Sequence, residues 1–195
     1  RAIVSSSFLI FPMMVGLAVV AEPLIKIVLT EKWLPAVPFL QIFCASYALM
    51  PIHTANLQAI NALGRSDIFL KLEIIKKILG IVILVISLNF GVYAIALGMA
   101  LNGIISSFIN AYPNKKLLDY SYLEQWKDII PSLLISLLMG LNVYMLNFLN
   151  IAEFLKLFLQ IAVGVIVYIL LAKLLKLECF NYLVNTAKEM VGRKK

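Results

Sequence analysis

Charge is scarce in this sequence: Asp, Glu, Lys and Arg together supply 14% of 195 residues, against about 25% in ordinary soluble domains. What charge there is leans basic, with a formal net of +7. The Lys and Arg residues sit at the ends of apolar runs, not in a stripe interleaved with aromatics, so no nucleic-acid partner is expected. There are two cysteines and one histidine. Cys44 lies inside an apolar run and Cys179 in the tail, a placement with neither metal-ligand nor disulfide spacing. A P-loop, a His-Glu metal pattern and a Ser/His/Asp set are all missing. No catalytic residue, metal or cofactor is therefore expected, and the chain does not read as an enzyme. Carboxylates are missing from the middle of every apolar run, and only Glu73 comes near. That disfavours proton or sodium coupling through a buried Asp or Glu within this segment.

What is present is apolar length. Hydrophobic residues make up 63% of the chain, gathered into six stretches at residues 3–20, 36–62, 68–90, 92–112, 129–149 and 154–175. A helix needs about 20 mainly apolar residues to cross a bilayer, and helices apolar on nearly every face have no place in a soluble domain of this size. The expected fold is all-α, a polytopic bundle of six transmembrane spans. Asn89-Phe90-Gly91 makes a tight hairpin between the third and fourth spans, with glycine supplying the backbone freedom. The longest connection is residues 113–128, and Asp67 is expected to cap the third span. The tail, residues 178–195, reads as a short interfacial helix that frays into its basic end.

Alternating six spans puts Arg1, Arg65, Lys71, Lys76, Lys77, Lys115, Lys116, Lys127, Lys173, Lys176, Lys188, Arg193, Lys194 and Lys195 on one side. Only Lys26, Lys32 and Lys156 face the other. Cytoplasmic loops collect basic residues, so both termini of the segment are expected in the cytoplasm. An Arg1 start running straight into an apolar stretch fits no signal peptide and suggests a piece of a longer protein.

Polar groups inside the spans need a partner or a wet face, since each unpaired one costs several kcal/mol in hydrocarbon. In the second span Cys44, Tyr47, Pro51, Thr54, Gln58 and Asn61 fall within one sector of about 100° on a helix. Pro51 is expected to kink the helix there. Two readings stand: a cavity wall that moves, and a polar packing seam. His53, off this stripe, reads as a structural hydrogen-bonder. In the third span Glu73, Lys76 and Lys77 share a face with Gly80 and Ser87. Glu73 can pair with one lysine at a time, leaving net positive charge that suits a phosphate-bearing ligand or else snorkels to the headgroups. Gly98, Asn102, Ser106 and Asn110, then Ser132, Ser136 and Gly140, then Gln160, Gly164 and Tyr168 are ladders expected to pack helices closely.

Several blocks resemble a known family. Phe11-Pro12, Gly16-Leu17-Ala18-Val19-Val20-Ala21-Glu22-Pro23-Leu24-Ile25 and Thr30-Glu31-Lys32-Trp33-Leu34-Pro35-Ala36 are similar to polysaccharide-export flippases. So is Asn61-Ala62-Leu63-Gly64-Arg65-Ser66-Asp67 running into Lys71-Leu72-Glu73-Ile74-Ile75-Lys76-Lys77. These are Wzx-like lipopolysaccharide or colanic acid biosynthesis proteins of the multidrug/oligosaccharidyl-lipid/polysaccharide superfamily. The likeness covers residues 8–120, and the last two spans match in hydropathy alone. It implies the C-terminal part of a MATE-like flippase of 12–14 helices. Residues 1–112 would be four helices of the C-terminal bundle, 113–128 a cytoplasmic connection, 129–177 two appended helices and 178–195 the basic tail.

The implied activity is translocation of undecaprenyl-diphosphate-linked repeat units across the inner membrane by alternating access, with the missing N-terminal bundle and the bilayer as partners. Lys76, Lys77, Glu73, Tyr47, Thr54, Gln58, Asn61 and Asn102 are the substrate-cavity candidates, and Pro12 and Pro51 the hinge candidates. A drug exporter of the same superfamily and a non-transporting scaffold are the alternatives. A membrane enzyme acting on the same carrier would need a larger outer loop than any here.

Overall fold

The computed structural model describes residues 2–192, with no side-chain account of 186–188 or 190–192. The basic end, Arg193-Lys194-Lys195, and with it the expected fraying, lies outside the described residues. Among these residues the chain is helical throughout, without a strand. The helices are α1 (Ala2–Val19), α2 (Ala21–Leu29), α3 (Val37–Tyr47), α4 (Met50–Ala62), α5 (Ser66–Leu88), α6 (Val92–Ala111), α7 (Asn114–Leu118), α8 (Tyr122–Met145), α9 (Glu153–Leu174) and α10 (Glu178–Gly192), with a 3-10 turn at Glu31–Ala36 ahead of α3.

Five stretches are long and apolar enough to cross a membrane: Ala2–Val19, Glu31–Ala62, Val92–Leu118, Tyr122–Phe148 and Glu153–Leu174. The protein is a polytopic α-helical membrane bundle. The helix at the remaining expected span, α5, is not among them, because Lys71, Glu73, Lys76 and Lys77 crowd its first half and dilute its apolar character. It nevertheless returns along α6. Gly98 of α6 is so close to Ser87 that an added Cβ would meet the hydroxyl at 2.5 Å, and Gly80 of α5 faces the Asn102 amide. Gly91, at φ 88°, makes the turn between them with a backbone few other residues adopt.

Prolines divide the spans in different ways. Pro51 has no N–H for the Tyr47 carbonyl, and the helix breaks just ahead of it, at a turn between α3 and α4. Pro12 likewise has none for the Phe8 carbonyl, yet α1 runs through it unbroken. The Tyr168 hydroxyl of α9 donates to that carbonyl at 2.6 Å, and its ring packs on Phe8 with centroids 5.0 Å apart. The interruption near this end of the bundle falls instead at Val20, three residues before Pro23.

The core runs along α1 and α8. Phe8, Val20, Ile135, Met139, Val143, Tyr168 and Ala172 form one buried cluster, against which Cys179, Phe180 and Leu183 of α10 pack. Ile3, Phe11, Ile52 and Ile129 form another. Gly140 lets α8 close on Val15 and Val19 of α1, and Gly164 lets α9 close on Val143 and Met139. The small-residue ladders are thus helix seams.

Two boundaries differ from expectation. α8 starts at Tyr122, seven residues before Ile129, because Ser121 and Glu124 form a capping box that nucleates the helix before its apolar face begins. Asp67 is not the cap of α5. That position is Arg65, whose guanidinium bonds both Asp67 oxygens at 3.0 and 3.1 Å and holds the carboxyl below the usual range. In the connection, burial and then the hydrogen bond to Asp128 push the Tyr120 phenol far above its ordinary value. Its hydroxyl donates to Asp128 at 2.6 Å.

Candidate functional site

The sequence places its polar candidates on α3, α4, α5 and α6, and the structure sorts them into three environments. Tyr47 on α3 and Thr54, Gln58 and Asn61 on α4 are all exposed, with Tyr47 at 57%. Thr54 satisfies its hydroxyl within its own helix, donating to the Met50 carbonyl at 2.8 Å. Neighbouring exposed positions on the membrane-depth helices are mostly Leu, Ile, Val and Phe, so this polar face stands out against a lipid-like surface. Amide groups there are stable only against water or protein.

Glu73, Lys76 and Lys77 lie in the first half of α5. Glu73 pairs with Lys76, whose side chain is only 14% exposed. Lys77 is exposed and forms no salt bridge among the described residues, so the net positive charge of this face resides on it. Asn102 is different again. It is half-buried in the α5–α6 seam against Gly80, and its Oδ1 has no partner among the described residues. The structure therefore pairs Glu73 with Lys76 along α5, leaves Lys77 and the α3–α4 residues open, and turns Asn102 into a helix interface.

Behind the exposed face of α4 lies a buried polar network. His53 shares a 3.0 Å hydrogen bond with the Asn110 amide nitrogen and lies beside the Gly103 backbone. Asn56 donates to Gln125 Oε1 at 2.7 Å, Gln125 returns a bond to Asn56 Oδ1 at 2.9 Å, and Asn114 donates to the same oxygen at 2.6 Å. Ser107 and Tyr122 join α6 to the start of α8 at 3.0 Å. Asn56, Asn114 and Gln125 are not among the sequence candidates. A signal for the first was available: Asn56 sits on one stripe with Ile52 and Ile60, and an amide on an otherwise apolar stripe needs a buried partner. Its partners, 58 and 69 residues away, carry no local mark.

No group of His, Cys, Asp and Glu that could hold a metal ion occurs among the described residues. The bundle also contains a groove of about 630 Å³ between α1, α8 and α9, lined by Phe8, Met13, Leu17, Met139, Gln160 and Tyr168 among others.

Comparisons with known proteins agree with the motif-level resemblance. A family model described as polysaccharide biosynthesis protein matches residues 1–38. An "Uncharacterized membrane protein in cps region" of Klebsiella pneumoniae is 27% identical over 173 residues, covering 84% of this chain and 34% of that protein. "Lipopolysaccharide biosynthesis protein WzxC" of Escherichia coli (strain K12) is 29% identical over 140 residues, 67% of this chain and 28% of the relative. The chain thus spans about a third of the length of the curated relatives it matches. No solved structure matches it.

Proposed function

We propose, from the chain's similarity to Wzx-like membrane proteins of polysaccharide biosynthesis, that it forms part of an inner-membrane flippase for undecaprenyl-diphosphate-linked repeat units. The observation that carries this reading is the exposed polar face of Tyr47, Thr54, Gln58 and Asn61, with Lys77 exposed and without a salt bridge on the adjoining helix. Such a face is costly in lipid and useful in a wet cavity. Amides and hydroxyls suit sugar hydroxyls, and an exposed lysine suits a diphosphate as a point charge. Glu73 holds Lys76 and keeps it from competing for the same anion, and Asn102 sets the seam that positions α5.

Translocation then follows by alternating access between this bundle and an N-terminal one, with Pro51 and Pro12 as bending points and both termini of the segment in the cytoplasm. The chain acts as a transporter component and not as an enzyme.

The test replaces Lys76 and Lys77, singly and together, with Gln in the full-length protein, and measures surface polysaccharide at matched membrane levels. Lys77→Gln is expected to lower export at least tenfold and the double variant further. Normal export by the double variant overturns the headgroup assignment and leaves both lysines snorkelling to the membrane surface.

A further inference from the structure

Asn56 uses every side-chain hydrogen-bonding position that it has. Its Oδ1 accepts from Gln125 at 2.9 Å and Asn114 at 2.6 Å, and its Nδ2 donates to Gln125 at 2.7 Å and to the Ile52 carbonyl at 2.7 Å. The Asn56 backbone carbonyl accepts from Asn114 as well, at 3.2 Å. All three amides are buried, at 3%, 0% and 1% exposure for Asn56, Gln125 and Asn114. Saturation of this kind in a low-dielectric site is directional: a small displacement of one member leaves several groups unpaired.

The three partners sit on elements of different firmness. Gln125 lies one residue past the capping box of α8, where Ser121 N–H donates to Glu124 at 2.7 Å, and α8 packs along α1. Asn114 opens α7. α4, by contrast, is a 13-residue helix cut loose at both ends. A turn ahead of Pro51 separates it from α3, and Gly64 at φ 69° separates it from α5. Its outward side carries Thr54, Gln58 and Asn61, all exposed.

We propose that the Asn56–Gln125–Asn114 cluster is a latch. While closed it makes α4 and the root of α8 one rigid body, and α4 turns about its Pro51 and Gly64 ends only when the cluster opens. The apolar packing of Ile52 also holds α4, but it is non-directional, whereas a reciprocal amide pair is either made or broken. The latch therefore gives α4 two discrete positions and couples its outer face to the connection between α6 and α8. This coupling holds whatever the protein carries.

The experiment is a spin-label distance measurement on the full-length protein. Labels go on Ala62→Cys in α4 and Leu134→Cys in α8, with Cys44 and Cys179 replaced. The parent is expected to give one narrow distance population. Gln125→Leu and Asn56→Leu are each expected to raise a second population at least tenfold, and the double variant no further, because either change opens the same latch. Tyr122→Phe removes the neighbouring Ser107 bond without touching α4 and is expected to leave the distribution unchanged. Where Gln125→Leu fails to fold, Gln125→Met serves, since it keeps the side-chain length but loses both amide bonds to Asn56. An unchanged distribution in Gln125→Leu or Gln125→Met overturns the latch, as does broadening that adds in the double variant.

Discussion

At the scale of single residues, the two membrane prolines show how one chemical defect has two outcomes. Both lack an N–H and orphan a carbonyl four residues back. At Pro12 that carbonyl belongs to Phe8, and the Tyr168 hydroxyl takes it at 2.6 Å, so α1 stays whole. At Pro51 the helix breaks. Tyr168→Phe should therefore destabilise the bundle by about 1–3 kcal/mol, the cost of leaving a buried acceptor without its donor. In a Pro12→Ala background the new Ala N–H can serve the Phe8 carbonyl, and the Tyr168→Phe cost should shrink to well under half. Thermal unfolding in detergent of the four proteins measures this coupling. Equal cost in both backgrounds would mean that the hydroxyl's contribution does not depend on the carbonyl that Pro12 frees.

At the scale of helices, glycine decides which pairs come close, and the same residue type carries opposite predictions at two positions. A Cβ on Gly140 would meet Val15 Cγ1 at 2.5 Å, and a β-branched neighbour on a helix has little rotamer freedom to yield. Gly140→Ala is expected to force α8 off α1 and cost about 1–3 kcal/mol. Nothing lies within 4 Å of a Cβ on Gly103, so Gly103→Ala should raise stability by up to about 1 kcal/mol through helix propensity alone. Thermal denaturation of both variants checks the signs; a neutral Gly140→Ala would show the α1–α8 seam to be looser than described. These seams were legible because small residues four apart mark a close approach whatever the partner. The Ser121–Glu124 capping box was legible in principle too, since it is a local signal ahead of an apolar run. The amide cluster around Asn56 was not. Its spacing of 58 and 69 residues is a product of tertiary folding, and the exposed stripe of Thr54, Gln58 and Asn61 drew attention to the opposite side of the same helix.

For the molecule as a whole, topology turns on α5, the helix whose charges make it the least membrane-like of the long ones. If it crosses, alternation puts fourteen of seventeen Lys and Arg residues on one side. If it does not, the best split is eleven to six, a weaker asymmetry than polytopic proteins with short loops usually show. Packing points the same way, because Ser87 and Gly80 of α5 meet Gly98 and Asn102 across the whole middle of α6, and a helix lying on the surface does not follow its neighbour through the bilayer. Single cysteines in a full-length background lacking Cys44 and Cys179 separate the two cases. Lys32, Arg65, Phe90 and Lys115 are all exposed and sit in or beside successive connections. With six spans and a cytoplasmic start, an impermeant thiol reagent added to intact cells should label Lys32→Cys and Phe90→Cys, and should reach Arg65→Cys and Lys115→Cys only after permeabilisation. Identical accessibility of Arg65→Cys and Phe90→Cys, both labelled or both protected, would place α5 along the membrane surface. Lys77 would then lie at the headgroups with no cavity to line, and the proposed anion site would fall with it.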